Sequence, residues 1–298
     1  MSDSTAGLRH RIDSAGELRS VVRTMKAVAA ASIVQYERSV AALADYYRTV
    51  ELGLSACFRA AGAAAVMSES KAATQKRGIG AIVFGSDQGL VGQFNDAIAE
   101  HARQALAALP AVAQVWAVGE RVRARLTDAG VAVSGEFAVP ASVSAITALV
   151  GQILQQTEAL RTQGGAAELH LFYNSPATGA AYNPVSLRLL PLDAAWRRGL
   201  VKLPCPTRNL PEVLGPATAT MQLLIGEYLF VSLFRACAES LASENASRLA
   251  AMQRAEKNID DMLDGTNAAF HRLRQSSIDE ELFDVVSGFE ALSKSRRV

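Results

Sequence analysis

The stretch best suited to chemistry in this sequence is Gly85-Ser86-Asp87-Gln88-Gly89-Leu90-Val91-Gly92-Gln93-Phe94-Asn95, directly after an apolar run of strand length, Gly80 to Phe84. Three glycines close to Asp87 at the carboxyl end of a strand could cradle a phosphate, because backbone N–H groups approach a ligand closely there. The same residues also suit a tight strand-to-helix turn in which glycine supplies positive φ, and a lone glycine-rich loop does not decide between the two. Nothing else in the chain completes a phosphate site. Gly78 and Gly80 precede the strand instead of following it, and there is no GxxxxGK[ST] loop, no GxSxG elbow and no HExxH helix. The histidines His10, His101, His170 and His271 fall in different stretches, with no cysteine or histidine at ligand spacing, so no metal centre is expected. Asp260-Asp261 and Glu280-Glu281 are sequence neighbours that point in different directions on a helix, as solvated residues do. No catalytic residue and no cofactor is assigned.

The elements that would position such a loop change character along the chain. At 298 residues the sequence is long enough for one or two domains with a real core. Thirty basic against 29 acidic residues leave a formal charge of +1, and aromatics are few, so neither an electrostatic footprint nor a stacking platform for nucleic acid is present. Cys57, Cys205 and Cys237 are widely spaced and odd in number, which suits reduced thiols better than a disulfide framework. The start, MSDSTAGLRHRIDS, resembles neither a secretory signal nor a transit peptide. The most apolar region, Met221 to Phe234, is cut by Gln222 and Glu227 and is shorter than the roughly 20 residues of a spanning helix, so membrane association is expected only through partners.

Both ends of the chain read as long helices. From residue 3 to about 60, Leu8, Ile12, Ala15, Leu18, Val22, Met25, Ala29 and Ser32 lie three or four apart, and no proline occurs before Pro110. From Val231 to Leu292, Val231, Phe234, Ala238, Leu241, Asn245, Arg248, Met252, Ala255, Ile259, Met262, Thr266, Ala269, Leu273 and Ser276 keep a 3.5-residue period, the seam of a coiled coil. Unbroken after Pro211 apart from Pro216, such a helix would run roughly 120 Å at 1.5 Å per residue. Arg248 stands in the seam, where an unpaired charge would be costly. Between the two ends, strands at Gly80–Phe84, Val112–Val118, Val131–Phe137, Glu168–Tyr173 and Val185–Leu190 alternate with helices at Phe94–Leu109, Glu120–Ala129 and Ser142–Gln163. Alternation of that kind implies a mostly parallel layered sheet. The expected fold is α/β: an antiparallel coiled coil of residues 1–67 and 206–298, a linker at 68–77 and an inserted α/β domain at 78–205.

Three separated segments then resemble one family. Arg11 to Ser14 (RIDS) with Thr24 to Ser32 (TMKAVAAAS), Ser86 to Asn95 (SDQGLVGQFN), and Glu239 to Met252 (ESLASENASRLAAM) with Arg274 to Gly288 (RQSSIDEELFDVVSG) are similar to the signatures of the gamma subunit of rotary F-type ATP synthases. Tyr173-Asn174 and Leu189 to Leu192 fall where that family has YN and LLPL. The resemblance implies a non-catalytic rotor subunit of a proton- or sodium-translocating ATP synthase. Its terminal helices would rise as a shaft through three alpha and three beta subunits, and its α/β domain would sit against the epsilon subunit and the membrane c-subunit ring. It places the chain at the cytoplasmic face of the bacterial inner membrane and leaves nucleotide chemistry to the partners. By motif match it assigns partner contacts and coupling to Met25 and Lys26, to Ser86, Asp87, Gln88 and Gly89, and to Arg248, Arg274 and Gln275. Charge reversal at Lys26 together with Arg248 should then weaken coupling with the fold intact. Departures from the family pattern are Gln88, Val91, Ile33 and Asp279, Gly265 within the last helix, and a foot region, Leu200 to Pro206, without the family's tyrosines. They suggest an alternative bacterial ATPase. Read without the resemblance, the same pattern also suits an α/β nucleotide- or small-molecule-binding enzyme that dimerises through a coiled coil.

Overall fold

The computed structural model describes residues 4–61, 78–111, 113–164, 167–177, 182–205, 209 and 211–295. In chain order the elements are α1 (Thr5–Ala61), β1 (Gly78–Phe84), α2 (Phe94–Ala107), β2 (Gln114–Val118), α3 (Glu120–Asp128), β3 (Val133–Phe137), α4 (Val143–Gly164), β4 (Ala167–Pro176), β5 (Tyr182–Leu190), α5 (Ala194–Val201) and α6 (Ala217–Ser295). The expected linker at 68–77 lies outside the described residues. By its internal contacts the chain divides into two compact units, Ala29–Arg248 and Met1–Val28 with Leu249–Val298.

In the larger unit the five strands form one sheet in the order β3-β2-β1-β4-β5. β1 pairs in parallel with β2 and β4, β2 in parallel with β3, and β5 closes the edge antiparallel to β4. Alternation along β1 and β2 feeds two cores, as the two-residue period of a strand requires. Ala81, Val83, Val115 and Ala117 face Ile98 and Ala102 of α2 and Val122 and Leu126 of α3. Ile82, Phe84, Trp116 and Val118 face the other way, toward Ile146, Val150 and Ile153 of α4, Tyr36 and Leu54 of α1, and Leu233 and Phe234 of α6. Each large apolar side chain fully buried here contributes about 1.5–3 kcal/mol. The serine expected to open α4 does so: the Ala145 N–H donates to Ser142 Oγ at 3.3 Å.

The turn-rich loop expected at Ser175–Pro184 is shortened at both ends, since β4 runs on to Pro176 and β5 begins at Tyr182. Sequence reasoning also misses α5. Its signal is Asp193, whose carboxylate accepts from the Trp196 N–H at 2.8 Å as an N-cap.

In the smaller unit α1 and α6 lie side by side with opposite chain directions, Arg19 meeting Asp260 and Arg23 meeting Glu256. Ala15, Val22, Met252 and Ile259 form its buried cluster, with Met25, Ala255 and Leu263 packed against it. Three expected seam residues are not there, Leu18, Met262 and Ser276, all of them exposed. Leu18 is 51% exposed and Met262 50% exposed. Leu263 packs where Met262 was expected, and Arg19 next to Leu18 turns to Asp260. The apolar stripe advances because an α-helix repeats every 3.6 residues and drifts from a strict 3.5-residue count. α6 continues unbroken through Gly265. It also contains an 18-residue window of mean hydropathy 1.3, by length and composition enough to cross a membrane, although the sequence gives no such expectation.

Candidate functional site

In the larger unit the glycine-rich loop follows β1 at the point where strand order reverses between β1 and β4, the place where a doubly wound sheet ordinarily opens a ligand crevice. Here the start of the loop is tied to its surroundings by its own hydrogen bonds. The Gly85 N–H donates to Val118 O at 2.9 Å and the Ser86 N–H to Asn95 Oδ1 at 3.0 Å. Asn95 Nδ2 donates to Ser86 Oγ at 2.8 Å, and Ser86 Oγ donates to Gln88 O at 2.9 Å. Asn174 Nδ2 crosses from β4 to Phe94 O at 3.1 Å. Asp87 bridges two further elements: Oδ1 accepts the Glu120 N–H at 2.9 Å and Oδ2 the Val139 N–H at 3.1 Å. A carboxylate therefore already sits at the start of α3, where a phosphate would otherwise draw on the helix dipole.

Two glycines are fixed by close approach. A Cβ on Gly85 would come within 2.2 Å of Val122 Cβ, and one on Gly119, at φ +112°, within 2.8 Å of the Ser86 backbone. The left-handed conformations of the loop belong to Leu90 and Gly92. Gln88 is exposed and Gly89 half-buried, whereas Val91 is buried and its carbonyl accepts from Ser247 Oγ of α6 at 2.5 Å. Ser86 and Asp87 are thus structural clamps, and Gln88, Gly89 and Leu90 form the accessible tip.

Arg248, also in the larger unit, is not an orphan charge. Its Nη2 donates to Glu244 Oε1 at 2.6 Å and its Nη1 to Asn245 Oδ1 at 3.3 Å. Burial raises the Glu244 carboxyl above its ordinary range, against the lowering effect of Arg248 and with added repulsion from Asp87. Reversing the charge at Arg248 would leave two carboxylates facing each other in the interior, so the expectation of an intact fold on that substitution does not hold.

In the smaller unit Met25 packs beside the cluster of Val22 and Met252. Lys26 Nζ lies 2.5 Å from Glu256 Oε2, and Arg23 Nε lies 2.8 Å from Glu256 Oε1. These hydrogen bonds, from Lys26 first and then Arg23, hold the Glu256 carboxyl down at about 2. One turn along, Arg19 Nε and Asp260 Oδ1 are 2.7 Å apart as an ion pair. Arg274 is exposed on the wall of a groove of about 520 Å³ shared with Thr5, Arg9, Phe270 and Glu281. Gln275 Nε2 donates to Asp279 Oδ1 at 2.9 Å, so the departure at Asp279 gives the glutamine a partner on its own helix. The nine residues assigned from sequence therefore fall into two groups. Ser86, Asp87, Gln88, Gly89 and Arg248 belong to the larger unit, and Met25, Lys26, Arg274 and Gln275 to the smaller. Sequence reasoning misses Glu256 and Glu244, the counter-ions of Lys26 and Arg248, two of the three cations it selects. Among the described residues no group of three or more His, Cys, Asp or Glu could hold a metal ion.

Comparison with known proteins extends over nearly the whole chain. A family model described as ATP synthase matches residues 4–292. The ATP synthase gamma chain of Pelotomaculum thermopropionicum is 25% identical over 293 residues, which cover 97% of this chain and 99% of that relative. The ATP synthase gamma chain of Clavibacter sepedonicus is 25% identical over 295 residues, covering 96% and 97%. Among solved structures, a chain of the Euglena gracilis mitochondrial ATP synthase rotor in rotational state 1 gives a TM-score of 0.60 at 16% identity, covering 92% of this chain and 98% of that one. A chain of the Euglena gracilis mitochondrial OSCP/F1/c-ring assembly in rotational state 3 gives 0.59 at 14% identity, covering 99% and 96%.

Proposed function

The chain belongs to the ATP synthase gamma family, and from that premise we propose that it is the central-stalk rotor subunit of an ion-translocating F-type ATP synthase. It carries no catalytic site of its own and is one subunit of a multi-subunit enzyme, peripheral to the membrane. The observation that carries the reading is a match over residues 4–292 in a chain whose switch-point loop commits the Gly85 and Ser86 N–H groups and the Asp87 carboxylate to partners within the chain. A nucleotide-binding enzyme would need those groups free.

In this reading residues 1–67 and 206–298 serve as the shaft, 68–77 as the connection and 78–205 as the α/β domain. The partners are three alpha and three beta subunits, an epsilon subunit and the membrane c-subunit ring, at the cytoplasmic face of a bacterial inner membrane. Partner contact falls to Met25 and Lys26, to the loop tip at Gln88 and Gly89, and to Arg274 and Gln275. Ser86, Asp87 and Arg248 act behind them by holding the loop and the middle of α6 in place. Lys26 suits an acidic partner as a compact charge on a flexible stem.

The test is co-purification. A tagged chain drawn from its own membranes in mild detergent should bring down alpha and beta subunits at three copies each per chain, with epsilon and c subunits. Recovery of the chain alone or as a self-dimer would overturn the rotor assignment.

A further inference from the structure

Lys26, the residue given the most direct partner role, is already engaged. Its ammonium and the Arg23 guanidinium take one oxygen each of the Glu256 carboxylate, at 2.5 and 2.8 Å. Both carboxylate oxygens are therefore occupied by cations from α1, spaced three residues apart on one face of that helix. The neighbouring cation, Arg19, has its own acid in Asp260. These ion pairs thus join three cations to two carboxylates, and Arg23 and Lys26 share one of them. The cations are open to solvent, the side chain of Lys26 being 36% exposed and that of Arg23 55%, while Glu256 beneath them is largely covered at 15%. A cation with access to water changes partners at little cost, because water screens its charge.

We infer that Glu256 is a built-in competitor for Lys26: an acidic segment of a partner subunit gains this lysine only by displacing the carboxylate of Glu256, with Arg23 left behind to hold it. The inference rests on the reading of Lys26 as a partner contact. It makes Glu256 a positioning residue that touches no partner yet sets how readily the contact forms. Because Arg23 satisfies Glu256 in either state, the exchange leaves no charge stranded and α1 stays tied to α6 within this unit. Arg23 acts as the anchor and Lys26 as the exchangeable half.

The experiment is zero-length cross-linking of the assembled complex with a water-soluble carbodiimide, which joins an amine and a carboxylate in contact as an amide with loss of water, read by mass spectrometry. The wild-type complex should yield a Lys26–Glu256 link. Glu256→Gln should raise the yield of links from Lys26 to another subunit about two- to fivefold, as expected for release of a cation that reaches solvent. Lys26→Arg, which keeps the charge but offers no reactive amine, should abolish both links. Equal inter-subunit yield in wild type and Glu256→Gln would overturn the competitor role and leave the Lys26 contact standing, as would absence of the Lys26–Glu256 link from the wild type. Absence of any link from Lys26 to another subunit in both complexes would overturn the contact itself, and this inference with it.

Discussion

Glu244 and Glu256 are carboxylates of one helix with opposite titration behaviour, and the difference is one of surroundings. Glu256 accepts from two cations, Lys26 and Arg23, and is held at about 2, below the ordinary 4.5. Its ion pairs add stability above the unfolded-state value, and that contribution fades as pH falls toward 2. Glu244 is buried, and desolvation raises its carboxyl above 4.5 despite Arg248. The folded chain then binds more protons at this position than the unfolded chain. Its contribution is complete below the unfolded value and is lost as pH rises through the folded one. Chemical denaturation of the full chain between pH 3 and 8 should separate the two. Glu256→Gln should flatten the acid limb of the stability profile, whereas Glu244→Gln should remove a decline on the less acidic side of 4.5. If both variants move the same limb, the assignment of opposite signs is wrong.

Among the elements, α6 holds its length although it contains three interior glycines, Gly226, Gly265 and Gly288. Gly265 stands in the helix interior, where glycine is unfavourable, and the helix runs through it. A Cβ there would meet nothing within 4 Å. Gly265→Ala should therefore stabilise the full chain by about 0.5–1 kcal/mol, chiefly by restricting the unfolded backbone, seen as a higher urea midpoint with an unchanged slope. A loss of stability would mean that the glycine supplies a conformation this helix needs. On α1 the buried positions Leu8, Ala15, Val22, Ala29 and Tyr36 recur every seven residues. That row was legible from the spacing of apolar residues. Of the second row Met25 packs against the cluster as expected, but Leu18 is exposed, because Arg19 beside it turns to Asp260 on α6.

For the whole molecule, the two compact units are held by different forces. The unit Ala29–Arg248 has two apolar cores on the faces of its sheet. The other has, among the described residues, a small cluster and a row of part-buried ion pairs whose cations reach solvent, which salt weakens. The end of α6 presents Leu282, Phe283, Val285 and Phe289 at 61–73% exposure. Apolar residues exposed in a group mark a surface that another chain covers. The isolated full chain should sediment as species larger than its 31.6 kDa, and Phe283→Ser with Phe289→Ser should return it to monomer. A monomeric wild type at micromolar concentration would remove this segment from the candidate contacts.

Sequence by itself determined what is periodic or contiguous in this protein. The heptad row of α1, the strand–helix alternation, the serine cap of α4 and the motifs at Thr24–Ser32, Ser86–Asn95 and Glu239–Met252 all rest on neighbours within a few residues, where backbone geometry fixes which side chains share a face. Tertiary structure alone decided the partners. Lys26 meets Glu256 across 230 positions, and Asp87 spans 33 and 52 positions to the amides of Glu120 and Val139. No local period encodes such meetings, because they depend on which faces come together when apolar surface leaves water. For that reason the glycine loop could be read from sequence as either a phosphate cradle or a turn, and the bonds of Ser86, Asp87 and Asn95 favour the turn.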